Sequence, residues 1–193
     1  FVDGNSLKSI CSDLDVEYED MIRYLLSRKY LLRVFRGVFY VRSPEEIVMG
    51  RNGLSHLEIV ANGLRIKGVG NWYFGLHTAL RLNGATHEFF PVDFVLSDKI
   101  FRARETNIAG HKFKFVKIKS SLFFGIDRKN ELRYSDLEKT LLDFTYLWRY
   151  RGIPEHKIVL DISELVGVAS SEKLAEYSTR YPRTVRKTLE KVR

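Results

Sequence analysis

The sequence predicts an α+β fold in which a small N-terminal module precedes a larger domain of mixed helices and strands. Apolar residues change along the chain between helical and strand spacing, and the strands do not alternate regularly with helices as they do in a doubly wound sheet. Hydrophobic residues make up 45% of the 193 positions, which is enough for a substantial core. No run of about 18 uncharged apolar residues occurs, so we expect no membrane span.

Two short helices are predicted first. The earlier helix begins near Ser6, and its apolar residues recur three or four positions apart: Leu7, Ile10, Cys11 and Leu14. Asp15 is placed to cap the second helix, with Glu17 in its first turn, where the helix dipole favours an acid. The second helix is expected to bury its apolar side chains: Met21, Ile22, Leu25 and Leu26.

A β-hairpin is predicted directly after these helices. Two runs rich in β-formers, Tyr30–Phe35 and Val38–Val41, flank the turn at Arg36-Gly37. Two closely linked helices followed by a hairpin give the order of a winged helix-turn-helix. We assign residues 1–48 to this module and 49–193 to the larger domain. Because the sequence begins at Phe1 rather than Met, we expect upstream residues of the module to be missing.

The predicted winged helix has a plausible mode of DNA binding. Its second helix would enter the major groove, where Arg23 could bond to a guanine, and would present a mixed outer face: Glu17, Tyr18, Asp20, Arg23, Tyr24 and Ser27. The cations around the hairpin could neutralise phosphates: Arg28, Lys29, Arg33, Arg36 and Arg42. Glu17, Glu19 and Asp20 oppose this interpretation because acids repel phosphates. The alternative is therefore a protein-interaction module with a degenerate winged helix.

Positive charge is concentrated in three parts of the chain, whose formal net charge is +8. Between Met21 and Pro44 every charged residue is basic. The second cluster holds Lys99, Arg102, Arg104, Lys112, Lys114, Lys117 and Lys119. The third is the C-terminal tail, with Arg180, Arg183, Arg186, Lys187, Lys191 and Arg193. Clusters of this kind favour a polyanionic partner.

The larger domain is predicted to start after a junction marked by residues 44–46 and 50–53. One helix should run over residues 54–61 and end at Asn62-Gly63, and another over 72–82 should end at Asn83-Gly84. The remaining elements are two strands, at 89–96 and 111–119, and three helices, at 135–149, 170–180 and 182–192.

The longest predicted helix carries the most distinctive polar pattern. Ser135 is expected to cap it, with Glu138 completing a capping box. Asp136, Lys139 and Asp143 follow at spacings that place them near one another on the helix. A well-capped helix with an ion pair accounts for nearly all of this pattern.

No motif predicts catalysis. Neither a phosphate-binding glycine loop nor a Gly-x-Ser-x-Gly elbow is present, and no two histidines have metal-ligand spacing. We therefore expect a protein that is not an enzyme, with no cofactor and no metal. The less favoured alternative is a metal-dependent nuclease using Asp93 or Asp98 with Asp127-Arg128-Lys129. The single cysteine, Cys11, allows no internal disulfide and predicts a cytoplasmic protein.

Three segments together resemble one protein family. They are residues 25–40, ending in Gly37-Val38-Phe39-Tyr40, residues 73–84 (YFGLHTALRLNG) and residues 134–143 (YSDLEKTLLD). In order and spacing they are similar to the AbiEi-type antitoxins, the transcriptional-regulator component of type IV toxin–antitoxin and abortive-infection systems in prokaryotes.

The resemblance implies two roles. The winged helix would bind inverted repeats of double-stranded DNA in its own promoter and repress the operon. The larger domain would counter a nucleotidyltransferase-like toxin encoded beside it, without a stable complex. From the third segment we assign an antitoxin surface to Asp136, Glu138, Lys139 and Asp143.

Overall fold

The computed structural model describes residues 1–192 and begins with a three-stranded antiparallel sheet and two helices. Their order along the chain is β1 (Val2–Asp3), α1 (Gly4–Asp13), α2 (Tyr18–Ser27), β2 (Leu31–Phe35) and β3 (Val38–Val41). The strand order is β1-β3-β2. The predicted hairpin is confirmed: β2 pairs with β3, and Gly37 takes the positive φ of 74° that its turn requires.

The first helix starts earlier than predicted. Asp3 caps α1, because its carboxylate accepts hydrogen bonds from the backbone nitrogens of Asn5 (2.8 Å) and Ser6 (3.1 Å). Leu7 and Cys11 are buried as expected. The other two residues of the predicted apolar stripe, Ile10 and Leu14, are exposed.

The predicted start of α2 is also wrong. Asp15 does not cap the helix; it lies in the linker with a left-handed φ of 53°, and Glu17 occupies the capping position without a side-chain hydrogen bond. Ile22 is the buried residue of α2. The other apolar side chains of this helix are only partly buried: Met21, Leu25 and Leu26.

The predicted domain junction forms a helix, α3 (Pro44–Met49), which begins with a capping box between Ser43 and Glu46. Glu46 also accepts hydrogen bonds from the Tyr40 hydroxyl and from the backbone nitrogen of Gly53. The carboxylate thus joins β3 to the chain that follows α3. Residues around position 48 are therefore tied to the hairpin and do not form a linker.

The next helix explains where the first unit ends. Helix α4 (His56–Ile66) packs against β2 and β3, and Gly63, predicted to terminate it, lies inside it against Val34 and Phe35. The first compact unit consequently comprises residues 1–70 together with Thr106–Lys112, whereas the predicted module ended at residue 48. The second unit comprises Asn71–Glu105 and the residues from Phe113 onward.

Beyond α4 the chain forms the strands β4 (Trp72–Phe74), β5 (Val92–Ser97), β6 (Thr106–Ile108), β7 (His111–Lys117), β8 (Ile126–Lys129) and β9 (Leu132–Ser135). The strand β6 and the first two residues of β7 belong to the first unit. In the second unit the strand order is β7-β5-β4-β9-β8, with β4 antiparallel to β5 and parallel to β9. The two predicted strands at 89–96 and 111–119 are thus present with shorter bounds.

Helices cover this sheet. They are α5 (Leu76–Leu82), α6 (Leu137–Tyr150), α7 (Glu155–Val166), α8 (Ser171–Ser178) and α9 (Arg183–Glu190). The helix predicted at 72–82 is shorter, because Trp72, Tyr73 and Phe74 form a fully buried strand. The predicted end at Asn83-Gly84 is correct. The chain is therefore α+β, and within the described residues no helix is both long and apolar enough to cross a bilayer.

An ion-pair cluster fastens the C-terminal helices of the second unit. Glu155, at the start of α7, accepts hydrogen bonds from Lys191 Nζ (2.5 Å), Thr188 Oγ1 (2.9 Å) and Arg149 Nη1 (2.9 Å). The hydrogen bond from Lys191, then that from Thr188, holds the pKa of Glu155 down at about 2.

We therefore expect the free energy of unfolding of Glu155→Gln to fall less steeply at acid pH than that of the wild type. A carboxyl whose folded pKa is depressed stabilises the fold above its unfolded value, and this stabilisation is lost as pH falls from 4.5 towards about 2. Urea unfolding measured across this pH range tests the expectation. Glu164→Gln on the same helix is the control, and equal acid profiles for the two variants would contradict the assignment.

Candidate nucleic-acid interface

The predicted DNA-contacting residues of α2 differ in their exposure. Arg23, Tyr24 and Ser27 are exposed, whereas Tyr18 is partly buried in the cluster formed by the first two helices and the hairpin. The Lys8 ammonium lies 5.4 Å from the centre of the Tyr18 ring. Tyr18 therefore serves mainly to pack the two helices together.

Arg23 is held by an acid on its own helix. Its Nη1 atom donates to Asp20 Oδ1 at 2.9 Å, and both side chains are exposed. The Arg23–Asp20 pair contributes little stability in water, since exposed ion pairs contribute about 0–1 kcal/mol. Glu17 and Glu19, like Asp20, are exposed at the N-terminal end of α2. The Arg23–Asp20 pair matters for another reason. It competes with any guanine for the Arg23 guanidinium.

The end of α2 carries further exposed polar and aromatic groups. Arg28 lies with its guanidinium 5.8 Å from the Tyr24 ring centre, and the rings of Tyr24 and Tyr30 are 6.4 Å apart. The Ser27 hydroxyl is engaged locally, donating to the Tyr24 carbonyl at 2.8 Å. Lys29 follows the helix with a positive φ of 61° and an exposed side chain.

The hairpin presents two exposed cations. Arg33 and Arg36 are exposed, and neither forms an ion pair with any of residues 1–192. The Arg33 guanidinium lies 5.6 Å from the centre of the Phe39 ring, its cross-strand neighbour. Lys67, which follows α4, donates from Nζ to the Arg36 carbonyl at 3.4 Å. Sequence reasoning missed Lys67 because it lies 31 residues from Arg36.

Arg42 is placed differently from the other predicted phosphate contacts. It is partly buried, and its Nε atom has no hydrogen-bond partner among the described residues. Burial raises the pKa of Glu46, but hydrogen bonds from Tyr40, Gly53 and Ser43, followed by the charge of Arg42, bring it below its usual value. Arg42 is thus less accessible to an external phosphate than Arg33 and Arg36.

The predicted antitoxin surface is wrong, because its four residues are buried. Asp136, and not Ser135, caps α6 by accepting from the Lys139 backbone nitrogen at 2.8 Å. Glu138 does not complete a capping box there; it accepts from the backbone nitrogen of Ser170 at 2.7 Å, at the start of α8. Helices α5, α7, α8 and α9 all pack on α6, so its polar side chains face other elements of the unit.

Lys139 and Asp143 form the centre of a buried polar network. Lys139 Nζ donates to Asp143 Oδ1 (2.5 Å) and to the hydroxyls of Tyr181 (2.6 Å) and Tyr73 (3.0 Å). Both tyrosines donate in turn to Asp143, at 2.7 and 2.8 Å. The ammonium also lies 5.2 Å from the centre of the Phe124 ring. Every donor of the ammonium is therefore satisfied inside the protein.

Burial controls the protonation of this network. Desolvation lowers the pKa of Lys139, while the Asp143 carboxylate opposes the change. Desolvation, reinforced by Asp143, raises the pKa of Tyr73 and Tyr181 well above the ordinary value for tyrosine. The hydrogen bonds of the network join β4, α6 and the segment before α9. Because all four side chains are buried, none of them is accessible to a partner.

This fold has a solved counterpart. The crystal structure of the RV2827C protein from Mycobacterium tuberculosis is similar over 99% of this chain and 70% of that chain, with a TM-score of 0.63 and 13% sequence identity. At that identity the likeness concerns the fold alone. No family model matches the sequence, and no curated protein is significantly similar to it.

The acids of the nuclease alternative have separate partners. Asp93 is buried and accepts from Thr78 (3.0 Å) and Arg81 (2.7 Å). Asp98 accepts from Asn71 at 2.8 Å, and Asp127 is exposed on β8, three residues before the turn that begins at Asn130. Among residues 1–192, no group of three or more His, Cys, Asp or Glu side chains is arranged to hold a metal ion.

Proposed function

We propose that the chain is a DNA-binding transcriptional regulator whose first unit acts as a winged helix. In this proposal α2 enters the major groove and the hairpin of β2 and β3 lies along the phosphate backbone. The observation that carries it is the cationic edge of the hairpin, where Arg33 and Arg36 are exposed and form no ion pair with the described residues, and Lys67 donates to the Arg36 carbonyl.

The physics of this edge favours a polyanion. Charged side chains usually remain in solvent, and an exposed arginine without an acidic neighbour keeps its guanidinium donors available to an external anion. Phosphates accept bonds from guanidinium groups in a bidentate geometry. Neutralising phosphates releases condensed counterions, so the affinity of such an edge depends strongly on salt.

We expect the double variant Arg33→Ala/Arg36→Ala to bind duplex DNA more weakly for all sequences alike. Each lost phosphate contact should reduce the slope of log affinity against log salt by about 1. The measurement is fluorescence anisotropy of a labelled duplex from the region upstream of its own gene, beside a scrambled duplex, over a salt series. By contrast, Arg23→Ala should reduce the preference for the upstream duplex.

The matched control removes two exposed cations from another hairpin, formed by β8 and β9. Arg128 and Lys129 lie on β8, next to the turn that leads to β9, and both are exposed. Arg128→Ala/Lys129→Ala should leave duplex binding and its salt slope unchanged. Equal losses in the two double variants, or salt-independent binding by the wild-type chain, would contradict the proposed interface.

The antitoxin role is proposed on the family resemblance. In that role the regulator represses its own operon by binding inverted repeats and counters a nucleotidyltransferase-like toxin encoded beside it. Since Asp136, Glu138, Lys139 and Asp143 are buried, any residues that act against a toxin lie elsewhere. Co-expression with the neighbouring open reading frame tests the role: rescue of growth supports it, and no toxicity from that frame alone counts against it.

A second candidate is a module for protein contacts, favoured by the exposed acids of α2. Asp20 holds Arg23, and Glu17 and Glu19 lie beside it at the end of the helix that would approach DNA. Charge reversal separates the two functions. Glu19→Lys/Asp20→Lys should tighten duplex binding if α2 faces DNA, and leave it unchanged if the module binds only protein.

A further inference from the structure

A groove in the second unit combines apolar, aromatic and cationic side chains. Its volume is about 540 Å³, and it lies between the end of β7 and the C-terminal end of α6. This volume is in the range of pockets that bind small ligands, about 300–1,000 Å³. Neither the proposed DNA interface nor the buried network of Lys139 involves these residues.

The floor of the groove is made of core residues. Val116, Ile118 and Leu147 line it and are buried. Lys117 and Lys119 flank Ile118, are exposed and also line the groove. The second basic cluster of the sequence thus contributes two cations to the rim of an apolar groove.

Two aromatic residues of the groove are unusually exposed. Tyr150, in the last turn of α6, is 83% exposed and Phe101 is 61% exposed. The chain beside Phe101 is fixed to β7, since the backbone nitrogen of Arg102 donates to the Phe115 carbonyl at 3.2 Å. Large exposed aromatic side chains grouped in one cavity are typical of binding sites.

All charged side chains that line the groove are positive. Lys117, Lys119 and Arg151 line it, and none of its described lining residues is acidic. A ligand that complements this surface carries negative charge and also presents flat apolar area. Nucleotides combine these two properties, since every base has a stacking face and every linkage carries a phosphate.

We propose that this groove binds single-stranded nucleic acid. Bases stack on Phe101 and Tyr150, and Lys117, Lys119 and Arg151 contact the phosphates. An anionic membrane surface would also attract these cations, but the cations and aromatic residues here line a concave groove, which suits an inserted base better than a bilayer. The proposal is independent of duplex binding by the first unit, because it uses other residues.

The test is titration of the full chain with fluorescent oligothymidylate and oligouridylate of about 12 nucleotides, a length that spans one stacking platform. Phe101→Ala/Tyr150→Ala should weaken binding by roughly tenfold or more, since each stacked base contributes substantially. Tyr150→Phe, which keeps the ring, should bind like the wild type. Tighter binding of the uridylate indicates an RNA ligand, and tighter binding of the thymidylate a DNA ligand; both support the proposal.

Matched controls separate the groove from general attraction. Phe89 is 84% exposed and Lys157 is exposed, and both lie outside the groove. Phe89→Ala and Lys157→Ala should leave oligonucleotide binding unchanged, and Phe101→Ala/Tyr150→Ala should leave binding of the upstream duplex unchanged. Loss of duplex binding in Arg33→Ala/Arg36→Ala with retained oligonucleotide binding would show two separate sites.

Several results overturn the proposal. These are absence of oligonucleotide binding by the wild-type chain, an unchanged affinity in Phe101→Ala/Tyr150→Ala, and loss of oligonucleotide binding in Arg33→Ala/Arg36→Ala. A further contradicting result would be a chain that binds neither oligonucleotide but does bind vesicles containing anionic phospholipid, with Tyr150→Ala abolishing the vesicle binding. Since Phe101 and Tyr150 are exposed, their replacement should not unfold the protein, and circular dichroism checks this.

Discussion

Replacement of Lys139 by methionine is expected to lower the free energy of unfolding by about 3–5 kcal/mol, the usual cost of breaking a buried ion pair from one side. The side chains of Lys139 and Asp143 are fully buried, and Lys139 Nζ lies 2.5 Å from Asp143 Oδ1. Methionine has a similar length but no charge, so the Asp143 carboxylate would remain buried with the Tyr73 and Tyr181 hydroxyls as its partners and no cation.

Urea unfolding followed by circular dichroism measures this effect. The double variant Lys139→Met/Asp143→Leu should regain only part of the lost stability, because it removes the unpaired charge but leaves the buried hydroxyls of Tyr73 and Tyr181 without these partners. Lys173→Met is the control: its ammonium lies 3.6 Å from Asp136 but is half exposed, so its loss should cost about 1 kcal/mol or less. A Lys139→Met variant as stable as Lys173→Met would refute the interpretation of the network.

Gly63→Val is expected to destabilise the first unit by about 2–3 kcal/mol through overpacking. A β-carbon at position 63 would lie 2.5 Å from Val34 Cγ1 and 3.0 Å from the Phe35 ring. Val34 is buried and β-branched, so its side chain has little freedom to move away. The helix α4 would have to shift from the hairpin that presents Arg33 and Arg36.

Gly70→Val provides the matched control, since nothing lies within 4 Å of a β-carbon built there. Chemical denaturation should separate the two variants clearly. Gly63→Val should also weaken duplex binding if the hairpin acts as a wing, whereas Gly70→Val should not. Equal stability of the two variants would mean that α4 does not pack on the hairpin as described.

The predictions that rested on local sequence patterns were correct for the hairpin and for the end of α5. The hairpin was predictable because Gly37 at a tight turn and the β-formers on either side act within a few residues. The end of α5 at Asn83-Gly84 was predictable for the same reason, since Gly84 supplies the positive φ of 68° after the helix. The exposure of Arg36 could be predicted from the sequence because a polar residue in a two-residue turn is seldom buried.

Two elements of the second unit were missed or misassigned. Helix α7 was missed although Ile158, Ile162, Leu165 and Val166 recur at helical spacing and pack in or against the core. Strand β4 is only three residues long and fully buried, and so offers no alternation that would distinguish it from the helix that follows. For β4, the neighbouring strands β5 and β9, and not the local pattern, decide which side chains are buried.

The amino-acid sequence by itself determined the α+β class, the hairpin and the uneven distribution of positive charge. The tertiary structure alone decided the environment of each charge. Lys139 can be buried because Tyr73 and Tyr181, 66 and 42 residues away, bond to it, whereas Arg33 and Arg36 stay in solvent and pair with no acid in the part of the chain that the structure describes. The free energy of a charge depends on its solvation and on its partners in space, and these partners come from parts of the chain that local spacing does not connect.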